Sequence, residues 1–271
     1  MLLLLAVLSA ATPPADPYAE HVAQARTKYG KALSDLEYVV EPPFVVWGDS
    51  GGKPDPRTVR WTVEQLEAQY FDQRPDGIYD VFLFDGAESY VRHAKAMFGE
   101  EPGTPYGYAS SVHKALVMNI ATGGGTLVHE IVHPYLAANF EDPPTWLNEG
   151  LASLYEQSSE KGGHIIGLPN WRLEGLQRAL VRGPIMPFAK LVRTSDAQFR
   201  DADEALHYAQ ARYLMQYLQE EGLLQAFVKR ALKQQHDDPT AALALKATLG
   251  EQRWRTLDAT WRTWVMGLRF P

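Results

Sequence analysis

Gly123-Gly124-Gly125-Thr126-Leu127-Val128-His129-Glu130-Ile131-Val132-His133-Pro134 is the stretch on which the reading of this chain turns. The glycines give a tight entry, Thr126 is placed to cap, and Leu127, Val128, Ile131 and Val132 continue as one apolar helix. His129 and His133 are four residues apart, about one helical turn, so both imidazoles leave the same face and can meet one ion. Glu130, angled beside that face, can take a proton from a water activated there. Pro134 removes a helix hydrogen bond and is expected to kink the helix after the second histidine. The glycines also invite a phosphate-loop reading, but no Gly-Lys-Ser/Thr follows them.

Sixteen residues beyond His133 (149 − 133) stands Glu149, in Trp146-Leu147-Asn148-Glu149-Gly150-Leu151-Ala152. Asp142-Pro143-Pro144 before it reads as a helix start, a capping side chain followed by prolines of the first turn. A carboxylate in so apolar a run is costly to bury unless a cation pairs with it. A catalytic zinc takes three protein ligands and keeps one position open, and His129, His133 and Glu149 make such a set. Ser153 and Glu156, four and seven residues on, share the face of Glu149 and could hold it or His129. The chain has no cysteine, so thiolate zinc sites and disulfides are excluded. His113, His164 and His236 lack metal-like spacing and read as surface or core.

Around these two segments the pattern is mixed. A polar helix is expected over 18–33, an extended segment over 37–47 interrupted by Pro42-Pro43, and a loop over 48–56. Val59, Val63, Leu66 and Tyr70 space an amphipathic helix over 57–71. A buried strand follows over 79–84, a helix over 87–98, and two strands over 106–111 and 115–120. From Pro143 to the tryptophan-rich end (Trp254, Trp261, Trp264) the reading is helical. The fold class is therefore α+β: an N-terminal α/β lobe with a small mixed sheet (18–142), the motif helix at the seam, and a C-terminal all-helical lobe (143–271). The two lobes are expected to form one catalytic unit. Residues 1–17, with the apolar run Leu2 to Leu8 and then Ser9-Ala10-Ala11, read as a signal peptide and leader, so a secreted or periplasmic location is expected. That run is far shorter than the roughly 20 residues of a membrane span, and no later stretch is long and apolar enough. A net charge of -7 spread along 271 residues argues against nucleic acid or an anionic membrane as partner.

The HExxH followed by an Asn-Glu helix resembles the gluzincin zinc metallopeptidases. Trp146 to Ala152 is closely similar to the third-ligand segment of the aminopeptidase N family, and thermolysin-type enzymes have a looser version. The similarity is close over residues 126–156, and the whole layout resembles small bacterial peptidase MA-like zincin domains. The resemblance implies a zincin-like fold and one Zn2+ bound by His129, His133 and Glu149. It also implies Glu130 as general base and proton shuttle, and peptide or protein as substrate, with endopeptidase cleavage the expected mode. In zincins a substrate strand pairs with the sheet edge beside the metal, and residues 106–120 are the candidate. The Gly-x-Met-Glu-Asn segment with which aminopeptidase N relatives grip a free amine is absent; Val117-Met118-Asn119 is no substitute. The spacing to Glu149 is also shorter than in those enzymes.

Peptide hydrolysis needs a donor for the oxyanion, which gluzincins of this type take from a later helix. Tyr208, 59 residues beyond Glu149 (208 − 149), is the candidate, with His207 as its rival and Ala209 and Ala211 allowing close approach. Two other readings stay open: a catalytically silent zinc-binding scaffold, and a zinc hydrolase on a non-peptide substrate.

Overall fold

The computed structural model describes residues 16–49 and 54–270, so the expected leader lies, up to residue 15, outside the described residues. Of its last two positions, Pro17 opens the first helix, α1 (Pro17–Tyr29), and Asp16 is the N-cap, its carboxylate accepting from the Tyr18 amide at 3.0 Å. Strands β1 (Glu37–Glu41) and β2 (Phe44–Gly48) pair antiparallel, and Pro42-Pro43 form the turn between them. There follow α2 (Arg57–Gln69), β3 (Tyr79–Phe84), α3 (Ala87–Phe98), β4 (Gly107–Ser110) and β5 (Ala115–Asn119). The sheet runs β1-β2-β3-β5-β4, parallel at β2–β3 and β3–β5 and antiparallel at both edges.

The three central strands are mostly apolar, with Asp80 and Asn119 the polar exceptions, because both of their faces are buried. Alternation sorts their side chains. Val46, Val81, Leu83, Leu116 and Met118 enter a large core with α2 and the later helices. Val45, Trp47, Phe82, Phe84, Ala115 and Val117 enter a smaller one with α1 and α3. The outer edge of β4 pairs with no strand among the described residues.

Helix α4 (Gly125–Asn139) carries the motif and continues through Pro134; the missing amide there leaves the Glu130 carbonyl without its helical donor. Thr126 does not cap: the N-cap is Gly124, with no side-chain bond. The glycine at 125 answers to packing, since a Cβ would lie 1.9 Å from the Glu156 carbonyl oxygen. Helix α5 (Thr145–Leu154) likewise starts without Asp142, its N-cap being Pro144. Adjacent prolines hold Pro143 extended, so helical geometry begins only after them.

The C-terminal half is not all helical. β6 (Ser158–Lys161) and β7 (His164–Gly167) form an antiparallel hairpin. Its turn, Gly162-Gly163, has φ of +62° and +78°, which glycine adopts without a side-chain clash. Helices α6 (Arg172–Arg182), α7 (Phe188–Leu191), α8 (Asp196–Phe199), α9 (Glu204–Glu220), α10 (Leu224–Gln234), α11 (Ala242–Leu249) and α12 (Glu251–Gly267) complete the chain. α5 lies tight on α9, where a Cβ at Gly150 would stand 3.1 Å from the Ala211 carbonyl oxygen. Trp146, on α5, stacks on Phe227 and donates to the Thr240 carbonyl at 2.9 Å. One core thus runs from Phe44 to Val265, enclosing α4 and α5. No helix among the described residues is long and apolar enough to cross a membrane.

Candidate metal centre

The helical turn between His129 and His133 puts their rings 4.8 Å apart, edge to face. Ligand atoms of His129, Glu130 and His133 lie within 4.8 Å of one another. α5 packs across α4 and brings Glu149 to the same point: its Oε2 is 3.6 Å from His129 Nε2 and 3.9 Å from His133 Nε2. Four ligands at zinc bond lengths would stand roughly 3.3–3.6 Å apart at the corners of a tetrahedron, so small side-chain shifts close these three groups on one ion.

The groups behind the rings leave the right nitrogens free. Asn148 Oδ1 is 2.8 Å from His133 Nδ1; a carbonyl oxygen accepts, so Nδ1 holds the proton and Nε2 keeps its lone pair. His129 Nδ1 faces Glu156 Oε1 at 3.6 Å, and buried as it is has no hydrogen-bond partner. Glu156 is itself fixed by Asn170 Nδ2 at 2.8 Å and by Arg172 through Nε at 2.9 Å and Nη2 at 2.6 Å. Ser153, expected to share in this support, is buried with its hydroxyl unpartnered, so it holds neither Glu149 nor His129.

The charge balance favours a cation. Burial works against a charged His129, yet Glu149, Glu130 and Glu156 outweigh it and lift the imidazole to about 9. Burial alone would raise Glu149, but the two histidines and Arg200 draw it down to about 2. The Glu130 side chain, on a residue 8% exposed, makes no hydrogen bond to any described residue and lies 3.9 Å from His133 Nε2. Without an ion the site must borrow a proton to offset its carboxylates, and a nitrogen-and-oxygen donor set of this kind fits Zn2+. No family model matches this sequence, and no curated protein is found to match it.

His129 and Glu130 open onto a cavity of about 1220 Å³. Its lining includes Thr104, Tyr106 and Gly107, the last being the first residue of edge strand β4, and Ser158, Ser159 and Glu160 of β6. Tyr208 lines the cavity too, whereas Tyr213 is fully buried and Tyr217 packs on Trp264. His207 points away: it is 2% exposed, with Nδ1 2.9 Å from the Phe199 carbonyl oxygen. His207 is not among the residues that line the cavity. His164 and His236 are exposed and His113 is partly exposed, away from the cluster.

Sequence reasoning missed Arg200, which reaches both Glu149 and Tyr208, and gave no role to Asn148, Asn170 or Arg172. Asn148 could have been found from its place beside the third carboxylate on a helix facing α4. Arg200 offered no comparable signal, because it comes from a polar segment 51 residues away.

Proposed function

We propose that this protein is a zinc-dependent peptidase of the gluzincin type, with a zincin-like fold, that hydrolyses peptide bonds within an extended polypeptide. The observation that carries the reading is the meeting of His129 Nε2, His133 Nε2 and Glu149 Oε2 beside a Glu130 carboxylate that makes no hydrogen bond, at the wall of the large cavity. His129, His133 and Glu149 would hold the ion. When bound, zinc supplies Lewis acidity, polarising a carbonyl oxygen and lowering the pKa of water towards about 7.

The rest of the chemistry belongs to the chain. Glu130 is confined next to the ligands with no competing donor, so its carboxylate takes the proton of the attacking water and returns it to the leaving nitrogen. Tyr208 presents a phenol to the same cavity as donor to the oxyanion. The cavity exceeds the roughly 300–1,000 Å³ usual for small ligands, which favours a polymeric substrate. The free edge of β4 can take an extended peptide by main-chain hydrogen bonds. No acidic grip on a free amine was found in the sequence, which favours internal cleavage. The leader-like residues 1–17 support action in a secreted or periplasmic setting.

A scaffold role is disfavoured by Glu130, since a buried carboxylate that makes no side-chain hydrogen bond and stands only near a metal-site histidine serves no structural end. The test is metal analysis and turnover of a mixed peptide pool with wild type and Glu130→Gln. The expected result is one zinc per chain in both proteins and a turnover about 10²–10⁴-fold lower in the variant. Zinc-free wild type, or undiminished cleavage by Glu130→Gln, would overturn the assignment.

A further inference from the structure

We infer that Arg200 is a positioning residue that sets both the third ligand and the oxyanion donor; the inference rests on the peptidase reading above. Its guanidinium lies between them. Nη2 donates to Glu149 Oε1 at 2.7 Å, and Nη1 donates to the Tyr208 hydroxyl at 2.8 Å and to Glu204 Oε1 at 3.3 Å. Nε donates to Asp196 Oδ1 at 3.0 Å. Asp196 Oδ1 in turn accepts from Thr145 Oγ1 at 3.0 Å, and Thr145 is the first residue of the helix that carries Glu149. The rigid fork of a guanidinium is therefore braced from behind by α5 and points its two terminal nitrogens into the site.

Two consequences follow from donor and acceptor counts. With Glu149 Oε1 taken by Arg200, only Oε2 is left to face the two Nε2 atoms, so the carboxylate is oriented to ligate through one oxygen. Because the Tyr208 oxygen accepts from Arg200, its own hydrogen is left for a second partner, either the neighbouring Glu149 carboxylate or a group in the cavity. Two guanidinium groups stand over the Tyr208 ring, Arg172 at 5.2 Å and Arg200 at 5.8 Å from its centroid, which helps to fix the phenol's place. The pairs of Arg200 with Asp196 and Glu204 are exposed on both sides and contribute weakly to folding, so the bond to the buried Glu149 is the one that matters.

The full chain is tested as wild type, Arg200→Gln, Arg200→Lys, Tyr208→Phe and the Arg200→Gln/Tyr208→Phe double variant. Zinc affinity is read by chelator competition, folding by circular dichroism and thermal unfolding, and kcat on a cleaved peptide at saturating zinc. Arg200→Gln is expected to fold normally and to bind zinc about 10–100-fold more weakly. Tyr208→Phe should keep wild-type zinc affinity and lose kcat. In the Tyr208→Phe background, Arg200→Gln should cost no further kcat, because its kinetic effect passes through the phenol. Arg200→Lys, with its charge but no fork, should recover zinc affinity without recovering kcat. Unchanged zinc affinity in Arg200→Gln, or multiplicative kcat losses in the double variant, would overturn the inference while leaving the peptidase reading intact. A wild type that binds no zinc would instead overturn that reading, and this inference with it.

Discussion

On one side of the His129 ring, Nε2 faces Glu149 across 3.6 Å; on the other, Nδ1 faces Glu156 across the same distance. Both carboxylates are buried, and their surroundings differ in kind. Glu156 receives three hydrogen bonds from Asn170 and Arg172, and the Asn170 amide donates to the Tyr213 hydroxyl at 3.0 Å, so its charge is answered within the protein. Glu149 has Arg200 on one oxygen only, and Glu130 beside it has no hydrogen-bond partner among the described residues. The first cluster is closed and supports; the second is open and short of positive charge. A buried carboxylate left open in a core is a standing cost unless something arrives to offset it. The difference separates the two carboxylates more sharply than the motif does.

Removing the ion should expose that asymmetry most. With zinc at 100 to 1,000 times its dissociation constant, binding adds about 2.7–4.1 kcal/mol to stability. Treatment with a chelator should therefore lower the melting temperature by roughly 5–15 °C, and returning zinc should restore it. An unchanged melting temperature would mean that the open cluster needs no cation, and the contrast between the clusters would lose its meaning. A smaller effect is expected from the closed side. Glu156→Gln keeps an acceptor for Arg172 and Asn170 but removes the charge facing His129 Nδ1. Zinc affinity should fall about 10–100-fold, while the zinc-loaded fold persists. Wild-type affinity in this variant, measured by chelator competition, would separate the two clusters altogether.

The open cluster was legible in the sequence and its closed neighbour only in part, for a physical reason. His129, Glu130 and His133 depend on one helical period, and Glu149 on a second short helix, so both are local patterns. The sheet was legible for the same reason, since Val81 to Phe84 and Ala115 to Met118 are continuous apolar runs. Arg172 and Asn170 meet Glu156 through a chain reversal that passes round β6 and β7. That hairpin went unread because Ser158-Ser159-Glu160-Lys161 is polar and largely exposed, leaving Gly162-Gly163 as its one strong signal. The cavity walls are more remote still: Trp61 donates to Glu160 at 2.9 Å across 99 residues of chain. Helix starts failed at Thr126 and Asp142 because capping residues were weighed without the packing at Gly125 or the stiffness of Pro143-Pro144.

Ser153 gives the finest test of where the open cluster ends. Its position four residues beyond Glu149 suggests a bond to that carboxylate, yet the hydroxyl is buried, fully enclosed and unpartnered. An unpaired buried hydroxyl costs about 1–3 kcal/mol, and replacing it by hydrogen removes that penalty at the expense of a small void. Ser153→Ala should therefore leave zinc affinity unchanged and hold or raise the melting temperature by a few degrees. A fall in both would mean that Ser153 does donate to Glu149 when the ion is bound. The support of the third ligand would then come from α5 itself as well as from Arg200, and the open cluster would extend one helical turn deeper into the core.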